Sequence, residues 1–227
     1  MKRYLIFIGL ILSINSYAYY STSPYAWCGN NPVRFVDPDG MDVWEIDSLG
    51  RVISRTEDKT KDEFYTINSA GDTARVSFTY GTIEQQEERK DGDKVTHTWF
   101  DVRGDENGEK LFRFFANNTS VEWSQFMMGI EGDRGLNVIS TSHEYDRENT
   151  ASFLLGNKLM YGYTIREYIH NHPGNTPAPS GLEITKRENI YGDIHFATWI
   201  HDYTHNKRAR YYIYTRKYKY TQYYPFL

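Results

Sequence analysis

Residues 168–183 read YIHNHPGNTPAPSGLE, and the interpretation of the rest of the chain starts from this stretch. It begins as a strand-like segment, passes through His170 and His172, and leaves the strand at Pro173, because proline has no N–H to donate to a sheet. Residues two apart in a strand project from the same face, so the two imidazoles can approach one point. Two histidines on one face suit zinc, which takes three protein ligands and a water in catalytic sites.

A loop rich in proline and glycine follows the histidines and can return a carboxylate to them. Seven residues, the first of them Pro173, separate His172 from Ser180. The whole pattern resembles the JAB/MPN metalloprotease family, whose motif is an upstream Glu, then His-x-His-Pro, then Ser-x-x-Asp. The resemblance covers residues 110–200, and its specific part is the core from His-x-His-Pro to Pro-Ser.

The resemblance implies a carboxylate as the third metal ligand, and two residues compete for this role. Glu183 stands where the family has its Asp. Asp193, in the segment Gly-Asp-Ile-His, looks like the start of the helix that bears the family's Asp, displaced by an insertion of about ten residues. Because aspartate suits a helix N-terminus, we predict Asp193 as the ligand and keep Glu183 as the alternative.

The family also implies a catalytic Glu some fifty residues before the histidines. Glu122 lies 48 residues before His170, just after a predicted helix. In the implied mechanism, zinc held by His170, His172 and Asp193 activates a water. Glu122 takes the proton of that water and returns it to the leaving amine, while the Ser180 hydroxyl steadies the oxyanion. Three rival glutamates come too late or lie in a turn: Glu131, Glu144 and Glu148.

The first forty residues carry two further signals. Residues 1–18 are predicted to form a secretory signal peptide. They begin with basic residues, continue with the apolar run Tyr4–Leu12 and end with small residues near Ala18, an order typical of such peptides. Residues 19–40, YYSTSPYAWCGNNPVRFVDPDG, resemble the end of the RHS-repeat-associated core of bacterial polymorphic toxins. In that family a variable toxin cassette follows this segment, which implies an exported effector and a cognate immunity protein.

Composition narrows the remaining function classes. The chain has 227 residues, a net charge of −4 and a single cysteine, Cys28. One cysteine excludes an intramolecular disulfide and a multi-cysteine zinc site, so a metal here needs His and carboxylate ligands. The slightly acidic charge weighs against a nucleic-acid partner, and no segment after the N-terminal run is long enough to span a membrane.

The predicted fold class is α/β (α+β). We expect residues 41–104 to form a β-rich region containing a small β-meander, and residues 105–227 to form a JAB/MPN-like domain with a mixed sheet and flanking helices. Within this plan, residues 83–93 are predicted as a charged loop or short helix, residues 152–155 as a strand, and residues 209–220 as one strand.

Three functions fit these residues. The first is a zinc peptidase or isopeptidase toxin that acts on a protein substrate, with a ubiquitin-like or isopeptide-linked target among the options. The second is a metal-dependent nuclease toxin, because His170-Asn171-His172 resembles a His-Asn-His site. The third is a catalytically inactive MPN-like binding module, which loss of the metal-binding Asp would favour. The acidic charge and the Pro-Ser spacing favour the peptidase.

Overall fold

The computed structural model describes residues 42–57, 60–67, 71–157, 159, 164–181, 192–203 and 207–225. Within these ranges the chain forms eleven strands and three helices. The predicted signal peptide, the RHS-like segment 19–40 and Glu183 lie outside the described residues. None of the described helices is long and apolar enough to cross a bilayer.

The elements follow one another along the chain as follows. The strands are β1 Asp42–Ile46, β2 Val52–Glu57, β3 Asp62–Ile67, β4 Thr73–Phe78, β5 Ile83–Asp91, β6 Lys94–Arg103, β7 Ser124–Met128, β8 Leu136–Thr141, β9 Ile165–Asn171, β10 Arg210–Thr215 and β11 Lys219–Tyr223. The helices are α1 Asp105–Asn118, α2 Asn149–Asn157 and α3 Asp193–Tyr203.

A small sheet with strand order β2-β1-β3-β4 consists of two hairpins. Their first strands, β1 and β3, pair in parallel, so the order differs from that of a simple meander. Trp44 of β1 faces Phe64 of β3 in this register, and their rings stack with centroids 4.5 Å apart. Both side chains are buried, and burial of each contributes about 1.5–3 kcal/mol to folding.

The large sheet has the order β11-β10-β9-β7-β8-β6-β5 and is mixed, because β9 and β10 are parallel and all other neighbours are antiparallel. One core joins the small sheet, α1 and one face of the large sheet; in it Phe115 stacks on Trp123 at 4.1 Å. A second core packs α2 and α3 on the opposite face, with Phe126 and Tyr168 in contact. The predicted α+β class, with a mixed sheet and flanking helices, is confirmed.

Three local predictions differ from the structure. The charged stretch predicted as a loop or helix is strand β5, whose polar side chains are tolerated because it is an edge strand with much of its surface exposed. The segment predicted as a strand at 152–155 is part of α2, where Ala151, Leu154 and Leu155 are buried at helical spacing. The terminal strand is a hairpin, β10 and β11, paired from Tyr211 to Tyr223.

One edge of the large sheet collects the strand ends that matter for the site. The C-terminal end of β9 lies beside the N-terminal start of β7, and the end of β8 and the start of β6 follow along the same edge. We call this the site edge. The predicted border between residues 104 and 105 falls between β6 and α1, inside one compact unit that spans residues 39–227.

Candidate metal centre

The two histidines leave the end of β9 on one face of the sheet. His170 pairs with Ile213 of β10 and with Ser124 of β7, which holds it in the ladder. The N–H of His172 donates to the carbonyl of Tyr214 at 3.0 Å, so the strand path continues one residue past β9. A turn follows, in which the N–H of Asn175 donates to the His172 carbonyl. The period of two therefore places both imidazoles on the same side.

Asp193 reaches the histidines as the first residue of α3. The Ser180 N–H donates to Asp193 Oδ2 at 2.7 Å, and the Asp193 N–H donates to Ser180 Oγ at 3.0 Å. The backbones of Gly181 and Gly192 touch beside this pair, since a Cβ added to Gly192 would lie 2.8 Å from the nitrogen of Gly181. Gly181 has a φ of +85°, which favours glycine. These contacts seat Asp193 next to the His-x-His segment.

Three side chains bring their donor atoms to one point. The Nε2 atoms of His170 and His172 are 3.0 Å apart. Asp193 Oδ1 lies 3.2 Å from Nε2 of His170, and Oδ2 lies 3.5 Å from Nε2 of His172. Bonds of about 2.0–2.1 Å to a tetrahedral zinc would place ligand atoms roughly 3.3 Å apart, close to these spacings. The set fits a zinc ion with three protein ligands.

The surroundings orient each imidazole. His172 Nδ1 donates to the carbonyl of Thr176 at 2.7 Å, which leaves Nε2 with its lone pair facing Asp193. His170 is 2% exposed and is held by rings, stacked on Tyr168 and edge-on to Tyr223. Its Nδ1 is a buried atom without a hydrogen-bond partner in the part of the chain that the structure describes. Packing thus orients one ligand and a carbonyl orients the other.

Charge within the cluster is strongly coupled. Burial alone would raise the pKa of Asp193, but the adjacent His170 and His172 outweigh it and lower that pKa, so the carboxylate is anionic. Burial lowers the pKa of His172, but hydrogen bonding to Asp193 and the negative charge of its carboxylate raise it overall. Protons and a divalent cation therefore compete for the same donor atoms.

Glu122 lies just before β7, at the site edge. Its N–H donates to the Glu144 carbonyl at 2.8 Å, and its own carbonyl accepts from the Thr141 hydroxyl at 2.7 Å. The residue is 9% exposed. Burial, followed by the negative charges of Asp193, Glu148 and Asp146, raises the pKa of Glu122 to about 9. The carbonyl of the next residue, Trp123, accepts from the Asn171 N–H at 3.1 Å, so Glu122 lies beside the segment that carries His170 and His172.

Glu148, which the sequence analysis set aside as a rival of Glu122, is a buried neighbour of Glu122. It immediately precedes α2, and its carboxylate accepts from the Ala151 N–H at 2.8 Å and from the Ser140 hydroxyl at 2.7 Å. Burial raises the pKa of Glu148 to about 7, against these hydrogen bonds. A Glu before a helix start is the signal that could have identified it, but α2 was predicted as a strand.

The structure thus brings His170, His172 and Asp193 together and places Glu122 at the same edge of the sheet. Ser180 contacts Asp193 twice: its N–H donates to the carboxylate, and its hydroxyl oxygen accepts from the Asp193 N–H. Because the hydroxyl acts as an acceptor in this contact, its O–H can still donate to another group. The predicted catalytic and metal-binding roles of these residues stay predictions. The alternative ligand, Glu183, lies outside the described residues.

Comparison with known protein families finds a match to part of the chain. A family model described as JAB-like toxin 1 matches residues 100–198, from the end of β6 into α3. This supports a JAB-like toxin domain in that part of the chain. The matched segment contains every predicted site residue, namely Glu122, His170, His172, Ser180 and Asp193. Searches of curated proteins and of solved structures find no match.

Proposed function

We propose that this chain is the zinc-dependent peptidase or isopeptidase effector of an RHS-type polymorphic toxin. The observation that carries the proposal is the convergence of His170, His172 and Asp193 beside the buried Glu122, within a segment that matches a JAB-like toxin family. The presence of an aspartate beside both histidines also argues against the inactive binding module, which would lack it.

Zinc is the metal that this donor set suits best. Zinc binds imidazole nitrogens and carboxylate oxygens alike, and three protein ligands leave a fourth position for water or substrate. When bound, zinc lowers the pKa of a coordinated water toward neutrality and polarises the scissile carbonyl. His170, His172 and Asp193 would hold it.

Glu122 supplies the proton transfer in this proposal. Its buried carboxyl has a pKa of about 9 in the metal-free protein, so it binds protons far more tightly than an ordinary glutamate. Beside a bound cation that pKa falls toward the working pH, where a general base is most effective. Glu122 accepts the proton of the attacking water and passes it to the leaving amine.

Ser180 and Thr176 complete the arrangement. The Ser180 hydroxyl accepts from the Asp193 N–H and so fixes the start of α3, while its own proton is directed to the oxyanion that forms on the substrate. The Thr176 carbonyl keeps His172 in the tautomer that presents Nε2. Under this proposal the chain is exported, hydrolyses a peptide or isopeptide bond in a target protein, and is neutralised in the producing cell by an immunity protein.

Zinc content of purified variants tests the ligand set. We expect about one zinc per chain in the wild type, Glu183→Ala and Glu122→Gln, and loss of zinc in His172→Ala and Asp193→Ala. Stoichiometric zinc in His172→Ala, or loss of zinc in Glu183→Ala with retention in Asp193→Ala, would overturn it.

Growth inhibition on expression in bacteria tests the chemistry separately from the metal. Glu122→Gln should bind zinc and yet fail to inhibit growth, because the amide cannot accept a proton. A fully toxic Glu122→Gln contradicts the proposal. Robust cleavage of plasmid or RNA by the metal-loaded protein would favour the nuclease instead.

A further inference from the structure

A cavity of about 810 Å³ opens around the start of β6. Its walls come from three segments: the β1–β2 hairpin within residues 47–53, the β5–β6 hairpin within residues 88–97, and the β8–α2 connection within residues 142–149. Binding pockets for small ligands and side chains commonly have volumes of about 300–1,000 Å³. We call this cavity the edge pocket.

Two of the three walls precede the segment that matches the toxin family. That match begins at residue 100, whereas the walls contributed by β1–β2 and β5–β6 end at residues 53 and 97. The edge pocket is therefore assembled largely from the part of the chain that lies outside the family match.

A backbone hydrogen bond links one wall of the edge pocket to Glu122, next to the metal centre. The carbonyl of Glu144, a wall residue, accepts from the N–H of Glu122 at 2.8 Å. The adjacent Tyr145 approaches the loop after His172, since a Cβ added to Gly174 would lie 3.1 Å from the Tyr145 hydroxyl. In register, Trp99 of β6 stands three strands from His170, roughly 14 Å across the sheet at the usual strand spacing, and the wall residues from His97 back to Asp93 lie two to six residues farther along the chain. An extended peptide covers the combined distance in roughly five to seven residues.

Carboxylates dominate the charge of the edge pocket. Four line it, against two cations, and one of those, Arg51, is paired with Asp47 at 2.7 Å. Asp93 and Glu144 form no ion pair with any residue that the structure describes. Burial lowers the pKa of both lining histidines, His97 and His143, so neither adds positive charge at neutral pH.

Apolar side chains stand at the same opening. Leu49 and Ile53 line the edge pocket and are 41% and 60% exposed. Apolar walls beside free carboxylates complement a side chain with a methylene stem and a cationic head, which is the chemistry of lysine and arginine.

We propose that the edge pocket binds a lysine or arginine side chain of the protein substrate, roughly five to seven residues from the scissile bond. The inference rests on the proposed peptidase function and extends it to substrate choice. The stem would lie along Leu49 and Ile53, and the head would face Asp93 and Glu144.

Cleavage-site profiling tests this choice. A bacterial proteome is first digested with a glutamate-specific protease, so that the peptides keep their internal Lys and Arg residues. The peptides are then incubated with the zinc-loaded full chain, and the new termini are identified by mass spectrometry. We expect Lys and Arg to be enriched at one fixed position roughly five to seven residues from the cleaved bond. The double variant Asp93→Asn/Glu144→Gln should still cleave but lose the enrichment, and Glu144→Lys should disfavour basic residues at that position.

Glu106→Gln is the matched control. Glu106 is an exposed carboxylate in the first turn of α1, at the opposite end of β6 from the edge pocket, and its loss should leave the preference unchanged. A wild type that cleaves without a basic preference, or a double variant that keeps one, overturns the edge-pocket inference and leaves the peptidase standing. A wild type that cleaves no peptide overturns both.

Discussion

Replacing Glu122 by glutamine should stabilise the metal-free protein while it abolishes activity. Glu122 is 9% exposed and lies within reach of the negative charges of Asp193, Glu148 and Asp146. Glutamine has nearly the same shape and carries no charge, so it removes the cost of keeping this buried carboxyl protonated at neutral pH. A residue kept for proton transfer at the expense of folding stability is typical of active sites.

The magnitude follows from the pKa of Glu122, which rises from 4.5 to about 9 on folding. Between these values the folded chain holds a proton that the unfolded chain has released. The free energy of unfolding of the wild type therefore falls as the pH rises through this window and is highest below pH 4.5. At 1.36 kcal/mol for each pH unit, the loss by pH 7 is about 3 kcal/mol, and it grows at higher pH.

Urea unfolding followed by circular dichroism measures this difference. With zinc removed by chelation, Glu122→Gln should match the wild type at about pH 4.5 and exceed it by about 2–3 kcal/mol at about pH 7. Glu106→Gln, an exposed carboxylate in α1, should follow the wild type at every pH. A Glu122→Gln advantage that stays constant or shrinks with pH would refute the argument, because the carboxyl would then not be buried among negative charges.

Three further changes test other parts of the structure. Glu148→Gln should not show the loss of stability that the wild type shows as pH rises from 4.5 through about 7, and its free energy of unfolding should exceed that of the wild type by about 2–3 kcal/mol at about pH 8; thermal melts across this range check it. Gly192→Ala places a Cβ 2.8 Å from the Gly181 nitrogen, shifts the start of α3, and should weaken zinc binding roughly 10–100-fold in competition titrations with little change in far-UV circular dichroism. Phe115→Ala removes a fully buried ring stacked on Trp123 and should lower the free energy of unfolding by about 3–5 kcal/mol; a loss below about 1 kcal/mol would contradict the packing described.

Sequence reasoning succeeded where local pattern and tertiary environment agree. The strand through His170 and the helix that begins at Asp193 were both predicted, since a strand reads as period two and a helix start favours aspartate. It failed for β5, because a charged run carries no periodic signal when the strand lies at an edge and is stabilised by pairing with β6. It also failed for α2, which is too short for a distinctive apolar stripe.

The sequence by itself determined the donor chemistry of the candidate centre. One cysteine and a His-x-His-Pro segment leave imidazoles and carboxylates as the available ligands, and the strand period places both imidazoles on one face. Backbone geometry alone fixes the relative orientation of two side chains that are two residues apart in a strand, independently of the rest of the fold.

Only the tertiary structure decided which described carboxylates stand beside those imidazoles. Asp193 comes from 13 residues beyond Ser180, and its position depends on the reciprocal hydrogen bonds between these two residues and on the Gly181–Gly192 contact. Glu122 reaches the same edge because β7 runs antiparallel to β9. The distance between two residues along the sequence says little about whether they meet in the fold, because the entropic cost of closing a loop changes slowly with loop length. The contacts at the ends of the loop therefore decide which carboxylate reaches the histidines.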